Sequence, residues 1–292
     1  VPARTCCEPT TPLSIVMPES SRTHEEVSQA YEKALERSKQ KTGGCCGGGS
    51  SPAGVAAKLV DYEKDTEGLP GEAVGSSFGC GNPLAFAGVQ PGDTVLDLGS
   101  GAGLDLLLAA EKTGPEGRVI GVDMTEDMIE AARNNAERAG ADNIEVRYGL
   151  IEDLPVEDAS VDWVISNCVI NLSPDKPKVF GEIARVLRPG GHFSISDIVV
   201  ETLPDWLRQS MAAWSACIAG AISEAEYIEG LSDAGLTDVE VTDRLIYDAT
   251  QLKAILSEDI PGLDLDVARI EELLQEYSGT AWSAKFVGQK PS

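Results

Sequence analysis

Between Asp93 and Val200 short apolar runs alternate with amphipathic ones of helical length, and this alternation restricts the fold more than any other feature of the chain. TVLDLG reads as a buried strand, GLDLLLAAEKTG as a helix ended by glycine, RVIGVD as a second strand and TEDMIEAARNNAERAG as a second helix. IEVRYG, VDWVISN and HFSISDIVV read as three further strands, and PKVFGEIARVLRPGG as a helix stopped by Pro-Gly-Gly. Strands separated by helices of about 10 to 15 residues build right-handed βαβ units, so the predicted fold is α/β with a doubly wound, mostly parallel sheet. Beyond Val200, PDWLRQSMAAWSACIAG is expected to be one helix, and ISEAEYIEGLSDAG another, with Ser223 and Glu226 at capping-box spacing. TDVEVTDR and AWSAKFVGQ bring the sheet to seven strands, the last of them expected to close it at its edge.

The spacing divides the chain into an arm at 1–74, a ligand-binding domain at 75–245 and a helical segment with the closing strand at 246–292. In the arm, Val27, Tyr31 and Leu35 recur every fourth residue among charges, as in a helix that docks one narrow face. Glycines around Cys45 and Cys46 give that pair freedom to travel, although a linker with adventitious cysteines has the same composition. A formal charge of −25 argues against nucleic acid or an anionic membrane as partner. No apolar run reaches the roughly 20 residues of a membrane span, and VPARTCCEPTTPLS lacks the regions of a secretory signal. A soluble, cytoplasmic protein is expected. There, seven cysteines do not make a disulfide framework, and their spacing fits no zinc site, with only His24 and His192 to assist.

DLGSGAG, residues 97–103, is a glycine turn between strand and helix, where backbone passes close to a ligand. A dinucleotide fingerprint would place glycine where Asp105 and its neighbour Leu104 follow Gly103, and a carboxylate there repels a pyrophosphate. Asp97 adds a second negative charge, which suits an ammonium or sulfonium. Asp123, 24 residues beyond Gly99, is placed to take both hydroxyls of a ribose or to cap the following helix, with Met124 as an apolar surface for a base. This arrangement resembles the class I S-adenosylmethionine-dependent methyltransferases. The resemblance implies that Asp97, Gly99, Ser100 and Gly101 hold the methionine part and Asp123 the ribose. It places the adenine against Met124, Ile151 and Glu152, with Asn167 at the neighbouring strand end.

A methyl acceptor that carries a proton needs a base, and neither histidine stands where one would serve. The strand end SNCVIN instead carries Cys168, and soft thiolates bind a trivalent metalloid such as arsenic(III) that keeps a lone pair for attack. Cys217 lies in line with Leu207, Ser210, Met211 and Trp214, where a small core residue would also sit. GCGNPLAFAGVQPGDTVLDLGSGAG and SNCVINLSPDKPKVFGEIARVLRPGG closely resemble the arsenite S-adenosylmethionine methyltransferases, over about residues 79–243.

That resemblance implies arsenic ligation by Cys168 and Cys217, which are 49 residues apart, with Cys80 of the GCGNP motif as a third ligand. It also implies that Cys80 and either Cys45 or Cys46 return electrons by forming a disulfide, which glutathione or thioredoxin reduces. Arsenite and methylarsenite would be the substrates. Cys6 and Cys7 receive no role, and Phe78 either flanks the cofactor or packs in the core. A methyltransferase acting on carbon or oxygen of a small organic molecule, and a metalloid-binding protein without turnover, are the alternatives.

Overall fold

The computed structural model describes residues 19–42, 88–210, 213–214, 217–247, 267–277 and 279–292, together with 70, 71 and 73. Cys6, Cys7, Cys45, Cys46, Phe78 and Cys80 lie outside the described residues.

Seven strands form one sheet: β1 Thr94–Leu98, β2 Arg118–Asp123, β3 Ile144–Tyr148, β4 Val161–Asn167, β5 Leu187–Val200, β6 Thr237–Ile246 and β7 Ala281–Gln289. Their order is β3-β2-β1-β4-β5-β7-β6. The first five are mutually parallel, whereas β7 runs antiparallel to both β5 and β6. Because the chain winds from β1 outward to β3 and then returns to β4 on the other side of β1, the switch point lies between β1 and β4. In open α/β sheets the crevice for a ligand opens there, at the carboxyl ends of the strands.

Side-chain alternation assigns the two faces. Val95, Val119 and Ile165 share a core cluster with Leu106 and Ile129. These last two belong to helices α2 (Leu104–Thr113) and α3 (Glu126–Ala139). Leu96, Leu98, Ile120 and Val164 face the opposite way, onto Phe180, Ile183 and Tyr227. The partners there come from α4 (Lys176–Val186) and α6 (Glu224–Asp233). Asp97 follows Val95 on the first face and is only 2% exposed, a carboxyl where the pattern calls for an apolar residue.

The arm helix α1 (Glu19–Thr42) docks as its spacing predicts. Val27 and Leu35 are 0% and 1% exposed, and their burial contributes on the order of 2 kcal/mol each. The capping box of α6 forms, with both the Ser223 and Glu226 bonds present. Among the described residues no helix is long and apolar enough to cross a membrane.

Three expectations are corrected. AWSAKFVGQ does not lie at the sheet's edge: β7 is hydrogen-bonded on both sides, and β6 is the edge strand. RPGG does not separate helix from strand, since β5 already begins at Leu187 and absorbs the glycines in an irregular stretch beside β4. The run from Pro204 is not one helix. α5 (Asp205–Arg208) stops after a single turn, Ala213 and Trp214 are helical again, and the chain turns at Cys217 with φ 61°.

Candidate active site

A cleft of about 930 Å3, counting the part that opens to solvent, lies at the carboxyl ends of β1 and β4. Its floor is the glycine turn. The amides of Gly99 and Ser100 both donate to the Val122 carbonyl, at 2.8 and 3.1 Å, folding the turn back onto β2. Gly99 has φ 65°, and a Cβ added there would stand 2.3 Å from the Val169 side chain, so the position demands glycine twice over. Asp123 secures the other wall, accepting from the Gly101 amide and the Thr125 amide at 2.9 Å each. It therefore braces both the turn and the start of α3, although the N-cap itself is Thr125. Gly99, Ser100, Gly101 and Asp123 all line the cleft. So do Met124, Ile151, Glu152 and Asn167, while Asp97 lies buried in β1.

Three aspartates converge here. Burial is the main force pushing each carboxyl above the usual range, and at Asp97 the charges of Asp105 and Asp123 add to it. At Asp105 an Asn167 hydrogen bond of 3.1 Å works in the opposite direction, as the two amide bonds do at Asp123. A cation in this cleft relieves the whole set. Asp97 Oδ2, Ser100 Oγ and Glu152 Oε2 are buried without a hydrogen-bond partner among the described residues. Orphaned acceptors around a cleft are what a positively charged ligand rich in hydroxyl and amine donors satisfies. The residues thus fit S-adenosylmethionine.

The adenine-side acid has company that the sequence did not announce. His24 Nε2 lies 2.9 Å from Glu152 Oε1, and the Ser173 hydroxyl donates to the same oxygen. Burial would raise this carboxyl, but the two bonds prevail and hold it below its ordinary value. His24, Ser173 and Tyr31 all line the cleft. The only sequence signal for the first and last was the face of α1: positions 24, 27, 31 and 35 fall on one stripe.

Cys168 lines the cleft just past β4, where its amide extends the ladder to the Ser196 carbonyl at 2.8 Å. Cys217 Sγ donates to the Cys168 carbonyl at 2.8 Å, which brings the two cysteines together as expected. Both sit at positive φ, 58° and 61°, where a side chain other than glycine is strained, and such strain gathers at functional sites. Cys217 belongs to a turn rather than a helix, yet it is packed with Val27, Leu172 and Tyr247 like a core residue. Cys217 is a buried free thiol.

The segment that carries Cys217 is fastened to the loop after Cys168. Trp214 Nε1 donates to the Leu172 carbonyl at 2.9 Å, and Gly220 lies so near that an added Cβ would be 2.0 Å from the Asn171 carbonyl oxygen. Asn171 is in turn held by Asp197, whose carboxylate accepts from its amide at 3.1 Å and its Nδ2 at 2.8 Å. Asp197 also accepts from Tyr227 and from the Ile198 amide. Even so, full burial pushes its carboxyl up to about 7. Burial likewise pushes the Cys217 thiol up and Asp197 adds to it, while the Tyr31 hydroxyl and the Lys176 ammonium favour the thiolate. Asp197, a lone acid inside the run FSISDIVV, was a legible signal that spacing arguments passed over.

Comparison with known proteins agrees with this geometry. Residues 90–259 match the family described as "Methyltransferase domain". An arsenite methyltransferase of Halobacterium salinarum is 45% identical over 203 residues, 69% of this chain and 51% of that protein. One from Aquipseudomonas alcaligenes is 37% identical over 229 residues, 75% of this chain and 64% of its own length. The chain therefore spans between half and two thirds of these curated relatives. The crystal structure of an arsenic(III) S-adenosylmethionine methyltransferase from Chlamydomonas reinhardtii superposes with a TM-score of 0.64 at 30% identity. That match covers 82% of this chain and 74% of the algal one. The chain therefore belongs to the methyltransferase domain family and, within it, to the arsenite S-adenosylmethionine methyltransferases.

Proposed function

We propose that the protein transfers the methyl group of S-adenosylmethionine to trivalent arsenic held on the sulfurs of Cys168 and Cys217. The observation that carries this reading is the meeting of two cysteines on left-handed backbone, linked by a 2.8 Å Cys217 Sγ to Cys168 carbonyl bond, at a cleft containing converging buried acids.

Asp97 and Asp105 supply negative charge to the cofactor's positive end. Asp123 has lone pairs left for ribose hydroxyls after accepting from Gly101 and Thr125, and Glu152 Oε2 is open to an amine. When bound, S-adenosylmethionine would supply an electrophilic methyl carbon to the arsenic lone pair, with S-adenosylhomocysteine as the leaving group and arsenic rising formally from III to V. Each thiol that captures arsenite displaces a hydroxide, its own proton leaving with that hydroxide as water. No base has to take a proton from the acceptor, consistent with a site whose titratable neighbours, Tyr31 and Asp197, are already engaged.

Arsenic capture needs Cys168 and Cys217 as free thiols, so a reductant that keeps them reduced acts before arsenic binds. That makes a thiol reductant, glutathione or thioredoxin, part of the reaction. Cys80 with Cys45 or Cys46 then returns the two electrons that arsenic loses, and the reductant reopens the resulting disulfide. Such a cycle belongs in the reducing cytoplasm.

The test incubates the protein with arsenite, glutathione and labelled S-adenosylmethionine and separates arsenic species by chromatography with mass detection. Labelled methylarsenicals are expected from the wild type. In Cys217→Ser their yield should fall by more than the roughly 10–100-fold that loss of an outer partner costs at metal sites. No methylated arsenic from the wild type overturns the reading, and stoichiometric arsenite binding without product favours a scavenger.

A further inference from the structure

The arm helix crosses the mouth of the cleft and touches both halves of the site. His24 meets Glu152, Ser28 Oγ lies 3.3 Å from Thr125 Oγ1, and Tyr31 Oη lies 3.9 Å from Cys217 Sγ. One turn further on, Leu35 is buried against Ala102, Met128 and Ala131. These contacts fall at successive turns of one helical face, so α1 is held from His24 to Leu35 and Tyr31 is delivered to the sulfur as part of that docked stretch.

We infer that Tyr31 is a positioning residue for the arsenic site: its hydroxyl holds the Cys217 sulfur toward the cleft, so the metalloid site is complete only while α1 is docked. Cys217 Sγ has two hydrogen-bond partners among the described residues, the backbone carbonyl of Cys168 and the Tyr31 hydroxyl. Once sulfur is bonded to arsenic it carries no hydrogen, and the bond to the carbonyl is lost. With the thiol's single hydrogen given to the carbonyl, the tyrosine hydroxyl donates to a sulfur lone pair, and it can go on doing so once the sulfur is ligated. The carbonyl cannot. Tyr31 therefore supplies the contact that survives arsenic capture, and its ring, packed with Met124, Val169 and Trp214 around Cys217, sets the hydroxyl's position.

The inference rests on the arsenite reading, and Tyr31→Phe in the full chain separates the two. That change removes the hydroxyl and keeps the ring. Arsenite binding can be followed by the fluorescence of Trp214, which packs against the thiol segment, S-adenosylmethionine binding by calorimetry, and KM and kcat for each substrate by the methylation assay. In Tyr31→Phe the Kd and KM for arsenite should rise about threefold to tenfold, the scale of an ordinary hydrogen bond, with the Kd for S-adenosylmethionine unchanged within about twofold. In a Cys217→Ser background the same change should have no further effect on arsenite. Unchanged arsenite affinity, equal weakening of both ligands, or a full additional loss in the Cys217→Ser background each overturns the inference. A wild type that binds no arsenite overturns the reading beneath it as well.

Discussion

The cofactor half and the thiol half of the cleft are built by opposite means. On the cofactor side the decisive contacts are local: Gly101 reaches Asp123 over 22 residues, and Thr125 reaches it over two. One strand-turn-helix unit and its neighbour supply the turn and its brace, to which Asn167 at Asp105 and His24 at Glu152 add longer reaches. On the thiol side, Cys217 meets Cys168 over 49 residues, Trp214 meets Leu172 over 42, and Tyr31 meets Cys217 over 186. The difference teaches that the cradle comes with the fold, whereas the thiol pair exists only while two added segments, the stretch after β5 and the arm, are pressed onto the sheet. The two halves should fail separately.

Gly220→Ala should break the thiol half with the largest effect. The new methyl would stand 2.0 Å from the Asn171 carbonyl oxygen, a backbone atom held by the Asp197 network, so the turn carrying Cys217 must lift. Overpacking of this kind costs about 1–3 kcal/mol, visible as a lower urea midpoint. Arsenite binding should be lost at concentrations that saturate the wild type, while S-adenosylmethionine still binds within about threefold of its usual affinity, since a rigid cradle responds little to a distant turn. Equal loss of both ligands would show that the halves are one cooperative unit.

Asp123→Asn makes the converse cut. One carboxylate oxygen becomes a donor, so either the Gly101 or the Thr125 amide loses its acceptor, and the charge available to ribose hydroxyls disappears. Hydrogen bonds to charged groups are worth about 1.5–3 kcal/mol, so calorimetry should show S-adenosylmethionine binding weakened roughly 10–100-fold. Arsenite affinity, measured without cofactor, should stay within about twofold, because none of the thiol-side contacts runs through Asp123. A parallel loss of arsenite binding would contradict the separation.

The same division explains what could be read in advance. The five parallel strands, the glycine turn and Asp123 follow from period-2 and period-3.6 patterns confined to stretches of a few residues, where local chemistry decides the outcome. The stripe of Val27, Tyr31 and Leu35 announced that the arm docks, but not on what. His24 at Glu152 and Tyr31 at Cys217 depend on where that helix lands, which no local pattern encodes. The break in the 205–217 segment went unread because LRQSMAAWSA has good helix formers throughout, and Trp214 bonding the Leu172 carbonyl overrides that propensity. β7 was placed at the edge because a last strand often closes a sheet; its insertion between β5 and β6 follows from antiparallel pairing on both sides, a long-range choice.

His24→Ala is the mildest test, and it probes the contact of the arm with the adenine-side acid, which stands beside the Ser28–Thr125 contact. His24 and Glu152 side chains are 19% and 7% exposed, so their bond is screened little and should be worth about 1 kcal/mol. Burial pushes the Glu152 carboxyl up, yet the bonds from His24 and Ser173 bring it below its ordinary value. A group whose pKa is depressed on folding stabilises the native state above its unfolded value, about pH 4, and that contribution fades as pH falls through the lower folded value. Removing His24 should therefore lower the urea-derived stability by about 1 kcal/mol at pH 7, and the gap from wild type should close below about pH 4. Cofactor affinity should shift only about threefold, because the apolar anchors Val27 and Leu35 keep the helix docked. A gap that stays constant from pH 7 to pH 3 would mean that the histidine contributes by packing, leaving Ser28 at Thr125 as the arm's polar contact with the cofactor half.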